Sequence, residues 1–136
     1  MPYKYLNHTA DLGIEIKAKS MEELFINTAQ AIFETQIKGR ILKKENLEFK
    51  IKSISFEELL IEWCRELLYN FSVKGFIPAE YAIEINQNYE LNAQLKGDIF
   101  DKNRHQIKLE IKNATYHSLN IQKINDHYQA RIIFDV

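Results

Sequence analysis

The stretch "SFEELLIEWCRELLYNFSV", residues 55–73, reads as a helix. Leu59, Leu60, Trp63, Leu67 and Phe71 recur at helical spacing and form one apolar face. Ser55 and Glu58 stand at capping-box spacing, where a hydroxyl and a carboxylate satisfy orphan backbone N–H groups. Gly75 ends the helix and Pro78 blocks any restart. A second stretch, "SMEELFINTAQAIFETQI" at residues 20–37, repeats the design with Ser20 and Glu23. Leu24, Thr28, Ala31 and Ile32 share one row, Phe25, Ala29 and Phe33 the next, and Gly39 is placed as a stop.

The remainder alternates with period two. "IEIKA" (14–18), "LEFKIK" (47–52), "YAIEIN" (81–86), "YELNAQLKGDI" (89–99), "IKLEIKNATY" (107–116) and "HYQARIIFDV" (127–136) read as strands. Gln87 and Asn88 form the tip of a hairpin. In the 107–116 stretch, Ile107, Leu109 and Ile111 share one face, and Lys108, Glu110 and Lys112 the other. Half-buried alternation of this kind implies a mostly antiparallel or mixed sheet with the two helices packed on one face, an α+β fold. With no repeat, linker or low-complexity tract, residues 1–136 are expected to be one domain.

The chain has 18 basic and 19 acidic residues in 136, so bulk charge does not point to an electrostatic nucleic-acid binder. The single cysteine, Cys64, lies inside the apolar helical pattern and reads as a buried hydrophobe rather than a nucleophile. No signal peptide opens the chain and no apolar run approaches membrane-spanning length, which fits a cytoplasmic protein. P-loop, dinucleotide, zinc, HExxH and Gly-x-Ser-x-Gly patterns are all missing from the sequence.

The polar residues that stand out lie at strand ends. In "NHTADLGIEI" (7–16), Asp11 precedes a strand and follows His8. Asp135 is the penultimate residue, after "RIIF". "GDIFDKNRHQ" (97–106) gathers Asp98, Asp101, Arg104 and His105, and "TYHS" (115–118) carries His117. Each has an ordinary reading. Asp11 is an Asx-turn residue, Asp135 a solvated terminus and Lys112 the wet side of a strand. Asp101, Arg104 and His105 make a polar loop, and His8 and His117 are structural hydrogen-bonders. The sharper reading joins two of them: were the first and last strands neighbours, Asp11 and Asp135 could share a hard divalent cation.

"HTADLGI", "LLIEWCRELLY", "G-(x)3-D-(x)2-RH" followed by "EIKNATYHSLNI", and the closing "IIFDV" together resemble the archease family, in the family's order and over essentially the whole chain. The resemblance implies an accessory protein, not an enzyme, that serves an RtcB-type RNA ligase in tRNA splicing or RNA repair. It would promote guanylylation of the ligase's histidine with GTP and a divalent metal (Mg, Mn or Ca), and multiple turnover. It implies no membrane and contact with RNA only through the ligase. The family's acidic metal pair falls on Asp11 and Asp135, and its functional lysine on Lys112. Asp101, His105, His117 and His8 lie near the implied site with subordinate roles. The alternative is a chaperone-like binding module that works without a metal site of its own. A stand-alone hydrolase would have to turn over a phosphoester without the ligase. The chain departs from the family's usual form at Asp98 for Glu, Ser118 for Gly in "TYHG", and "WCRELL" for "WLNELL".

Overall fold

The computed structural model describes residues 2–6 and 11–136. The elements in chain order are β1 (Tyr3–Leu6), β2 (Leu12–Ala18), α1 (Met21–Gln36), β3 (Ile37–Lys38), β4 (Glu45–Lys52), α2 (Phe56–Lys74), β5 (Phe76–Ile85), β6 (Glu90–Ile99), β7 (Gln106–Ile107), β8 (Asn113–Ile124) and β9 (His127–Asp135). Both helices start where their sequences demand. Ser20 Oγ accepts the Glu23 N–H at 3.1 Å, and Ser55 Oγ accepts the Glu58 N–H at 3.1 Å. Glu23 reaches one residue further back than a capping box requires, accepting from the Lys19 N–H at 2.8 Å.

The ends differ. Gly75 adopts a left-handed conformation, φ 73°, and its N–H bonds back to Asn70 and Phe71 as a C-cap. Gly39 does not cap α1, because Ile37 and Lys38 already pair with β7 as a short ladder. Its φ is 124°, and a Cβ there would lie 2.2 Å from the Arg104 carbonyl oxygen. Gly39 is therefore required by the close approach of the 101–105 loop.

Pairing is antiparallel throughout. The strands form two main sheets rather than one, ordered β1-β2-β9-β8 and β4-β6-β5. The helices pack against both. α1 meets β2, β9 and β5, and α2 meets β8, β4, β5 and β6. That explains why so much of each helix is buried, beyond a single apolar stripe. Trp63 ties these layers together. Its rings approach Phe25 of α1, Phe49 of β4 and Tyr81 of β5, and its Nε1–H donates to the Phe25 carbonyl at 2.9 Å.

The expected strand at 107–116 is corrected. β7 ends at Ile107, residues 108–112 form no strand, and β8 runs on to Ile124. The backbone of 108–112 bonds to different elements instead of one neighbouring strand. Lys108 N–H donates to the Gln36 carbonyl, Ile111 N–H to Gln36 Oε1, and Lys112 N–H to the Asp135 carbonyl, at 2.7, 2.9 and 2.8 Å. The segment crosses from the β3–β7 ladder to the four-stranded sheet. Of its three alternating apolar residues only Ile111 is buried.

Candidate cation-binding tip

β2 and β9 lie side by side, and the register runs to Leu12 opposite Phe134. Asp11 is the residue before that pair and Asp135 the residue after it, so the two aspartates flank the last pair of the ladder. On the other side of β9, Asn113 pairs directly with Asp135. Residues opposite one another in an antiparallel sheet project to the same face. Phe134 is fully buried, and the next pair, Asp135 and Asn113, projects away from the core, with Asp11 directly before the other end of the Leu12–Phe134 pair. Asp135 is exposed and Asp11 half-buried.

Lys112 joins this row through its backbone. Its N–H donates to the Asp135 carbonyl, and it immediately precedes Asn113. The lysine is thus held at the tip by a segment pinned to Gln36 at the end of α1, rather than standing on the wet face of a regular strand. The carboxylate of Asp135 has no ion-pair partner among the described residues. Asn113 was not singled out from sequence. Its position directly after Lys112 is the one signal, and only the register gives it meaning.

The residues of the 97–106 loop assemble elsewhere, at the end of β6. Asp98 is fully buried and takes Arg104 through both oxygens at 2.9 and 2.8 Å, with the Leu42 N–H at 3.1 Å. Burial alone would raise the Asp98 carboxyl. The Leu42 N–H, the Arg104 guanidinium and the Ile99 N–H outweigh it and hold the group below its ordinary range. Asp101 Oδ2 accepts from Arg104 at 3.0 Å. His105 Nδ1 accepts the Asp101 N–H at 2.9 Å, so the proton sits on Nε2, which donates to the Arg40 carbonyl at 2.8 Å. Both ring nitrogens are engaged in closing the loop. Asp101 and His105 belong to this lock and not to the row of the tip.

His117 sits in a bulge of β8, where the register breaks between Thr115 and Asn120. Its N–H donates to Thr115 Oγ1 at 3.3 Å. His8 lies outside the described residues. Cys64 is fully buried and burial pushes its thiol up, which removes it as a thiolate nucleophile.

The donors at the tip are all oxygens: two carboxylates, the Asn113 carboxamide and backbone carbonyls. That set suits a hard divalent cation. Asn113 Oδ1 accepts the Ala114 N–H at 3.0 Å and retains a second lone pair. Among the described residues no three His, Cys, Asp or Glu side chains cluster around a point. A cation at the tip would therefore keep waters and accept further oxygens from whatever the tip meets. No helix among the described residues is long and apolar enough to cross a membrane.

Residues 3–136 match the model of the Archease protein family (MTH1598/TM1083). The chain is 34% identical to "Protein archease" of Methanosarcina barkeri, over 98% of this chain and 95% of that one. It is 30% identical to "Protein archease" of Pyrococcus furiosus, over 98% of each. In three dimensions it resembles the solution structure of Methanobacterium thermoautotrophicum protein 1598, with TM-score 0.83, 25% identity and 99% of each chain covered. It also resembles the crystal structure of an archease of Thermotoga maritima, described as a possible chaperone, with TM-score 0.68, 25% identity and 98% and 96% covered. The chain belongs to the archease protein family.

Proposed function

We propose that this protein is an accessory factor of an RtcB-type RNA ligase, acting in tRNA splicing or RNA repair. In this reading it promotes metal- and GTP-dependent guanylylation of the ligase's active-site histidine and multiple turnover, in the cytoplasm, touching RNA only through the ligase. The observation that carries the reading is the strand register. It pairs Asn113 with Asp135, bonds the Lys112 N–H to the Asp135 carbonyl and ends at Leu12, the residue after Asp11, in a chain of the archease family.

Asp11 and Asp135 would hold Mg²⁺, Mn²⁺ or Ca²⁺, with Asn113 as a neighbouring oxygen donor. When bound, the cation supplies charge neutralisation for phosphate oxygens, the main lever in phosphoryl transfer. Lys112 adds a fixed positive charge to the same edge, where it faces a nucleotide phosphate or an acidic surface of the ligase. The backbone of Asp135 is fixed in the ladder opposite Asn113, and Asp11 directly precedes β2.

The test is ligase guanylylation with GTP under multiple-turnover conditions, with and without this protein. Wild type is expected to raise turnover, and Asp135→Ala or Asp11→Ala to abolish the gain with the fold intact. Normal stimulation by either variant would overturn the assignment. A chaperone-like binding module is the second reading, favoured by the description of the Thermotoga relative as a possible chaperone. It predicts stimulation that survives both alanine substitutions.

A further inference from the structure

Ala130 and Ile132 of β9 are fully buried, so Gln129 and Arg131 between them point to the outer face of the four-stranded sheet. On that face the pairs Asn120–Arg131 and Gln122–Gln129 of β8 and β9 follow one another. Four polar side chains therefore stand at the corners of a square. They line a hollow of about 170 Å³. One is a guanidinium and three are carboxamides, and no carboxylate lines the hollow among the described residues.

The square is held from its β2 side. Glu15 is paired with Arg131 and Lys4 in the register and shares the outer face, yet its side chain is only 4% exposed. Lys4 Nζ at 3.0 Å, Gln129 Nε2 at 2.6 Å and Arg131 Nε at 3.3 Å surround its oxygens. A buried carboxylate has to be saturated in this way. The saturation also fixes Arg131 by its Nε and Gln129 by one N–H. Both Nη groups of Arg131 make no bond among the described residues, nor do the side chains of Asn120 and Gln122. Lys4 meets the charge of Glu15, so the charge of Arg131 is left over. Lys17, opposite Gln129 on the same face, adds to it.

Size and donor geometry select the ligand. The hollow equals the bulk volume of about five or six waters. It falls below the roughly 300 Å³ at which cofactor-sized sites begin, so a nucleotide does not fit. A planar carboxylate takes a guanidinium fork from one side. N–H donors from four corners suit an ion that carries oxygens in every direction.

We infer that this square binds a small tetrahedral oxyanion of the phosphate type, with Arg131 as its anchor. The site depends neither on the cation tip nor on the ligase reading. Asp135 lies four residues further along β9, about 13 Å away.

The experiment titrates the full chain with inorganic phosphate at constant ionic strength. It follows the side-chain N–H signals of Asn120, Gln122, Gln129 and Arg131 by NMR. Saturable shifts of these signals are expected. Arg131→Gln should weaken binding more than about tenfold and Gln122→Ala about threefold, whereas Lys17→Gln, outside the square, stays within about twofold. Arg131 and Gln122 are exposed, so both variants should fold, and thermal melts check that they do. Shifts that rise linearly without saturation mean an adventitious ion only and overturn the site. Equal affinity in Arg131→Gln overturns it as well. Acetate binding as tightly as phosphate overturns the tetrahedral assignment.

Discussion

Two carboxylates stand at strand ends in this molecule and have opposite surroundings. Asp98, at the end of β6, is fully buried and held by the Arg104 guanidinium and the Leu42 N–H. Asp135, at the end of β9, is exposed, and its nearest fixed partner is made through the backbone carbonyl, not the carboxylate. A buried anion without partners would be untenable, so Asp98 is saturated, and its charge serves the fold. The exposed anion of Asp135 remains available. Local sequence looks alike in both places, with an acidic residue where alternation stops. Burial separates a structural clamp from a candidate site.

Replacing each residue by alanine sharpens that contrast. Asp98→Ala removes a charge-assisted pair and leaves the Leu42 N–H without its acceptor. The guanidinium of Arg104 is about one-third exposed, and water offsets part of its loss. The expected cost is about 2–3 kcal/mol of unfolding free energy, read from denaturant midpoints. Asp135→Ala should cost less than about 0.5 kcal/mol, as an exposed substitution does. Equal costs would break the distinction between clamp and site.

Acid should act through the clamp as well. The Asp98 carboxyl lies below its unfolded value, and so does that of Glu15, first through Lys4 at 3.0 Å, with Arg131 at 3.3 Å adding to the effect. A depressed carboxylate stabilises the native state above its unfolded pKa, near about 4. That stabilisation disappears as pH falls through the folded value. Melting temperature should therefore drop from about pH 5 downward. Asp98→Asn should flatten this slope. A slope unchanged by Asp98→Asn would move the acid sensitivity elsewhere, with Glu15 the next group to substitute.

Both helices were legible in sequence to within a residue, because caps and apolar spacing are local signals. The α+β class and antiparallel pairing were legible too, through period-two alternation. What misled was alternation without a neighbour. Residues 107–112 alternate as cleanly as any strand, yet their N–H groups go to Gln36 and Asp135. Gln36 itself reads as an unremarkable helix end, although it is fully buried. β1 and the second half of β8 were not read at all. For β8, Asn125 with φ 57° and Asp126 form a tight turn whose residue types were visible. Of the site, Asp11, Lys112 and Asp135 were singled out, and their proximity depends on pairing between opposite ends of the chain. Asn113 needed the register.

A modest gain in stability is expected at the bulge that separates the tip from the rest of β8. Ser118 has φ 55°, a left-handed conformation that a side chain makes costly. Glycine would adopt that conformation without the cost of a Cβ. The bulge is held from outside. The Tyr116 hydroxyl donates to Glu58 at 2.9 Å, and Arg65 lies over the Tyr116 ring at 5.0 Å. Those contacts maintain the strained residue without any contribution from its own side chain. Ser118→Gly should relieve the strain at some cost in unfolded-state entropy, for a net gain of about 0.5–1 kcal/mol. A calorimetric rise of about 2–4 °C is the corresponding readout. Tyr89, at φ 60°, offers no comparable gain, because its ring packs edge-on against Phe56 at 4.8 Å. On the ligase reading proposed above, Ser118→Gly should leave stimulation unchanged, because Asn113 and Lys112 precede the bulge. Loss of stimulation in a more stable variant would mean that the strain of the bulge, and not the register alone, sets the position of the tip.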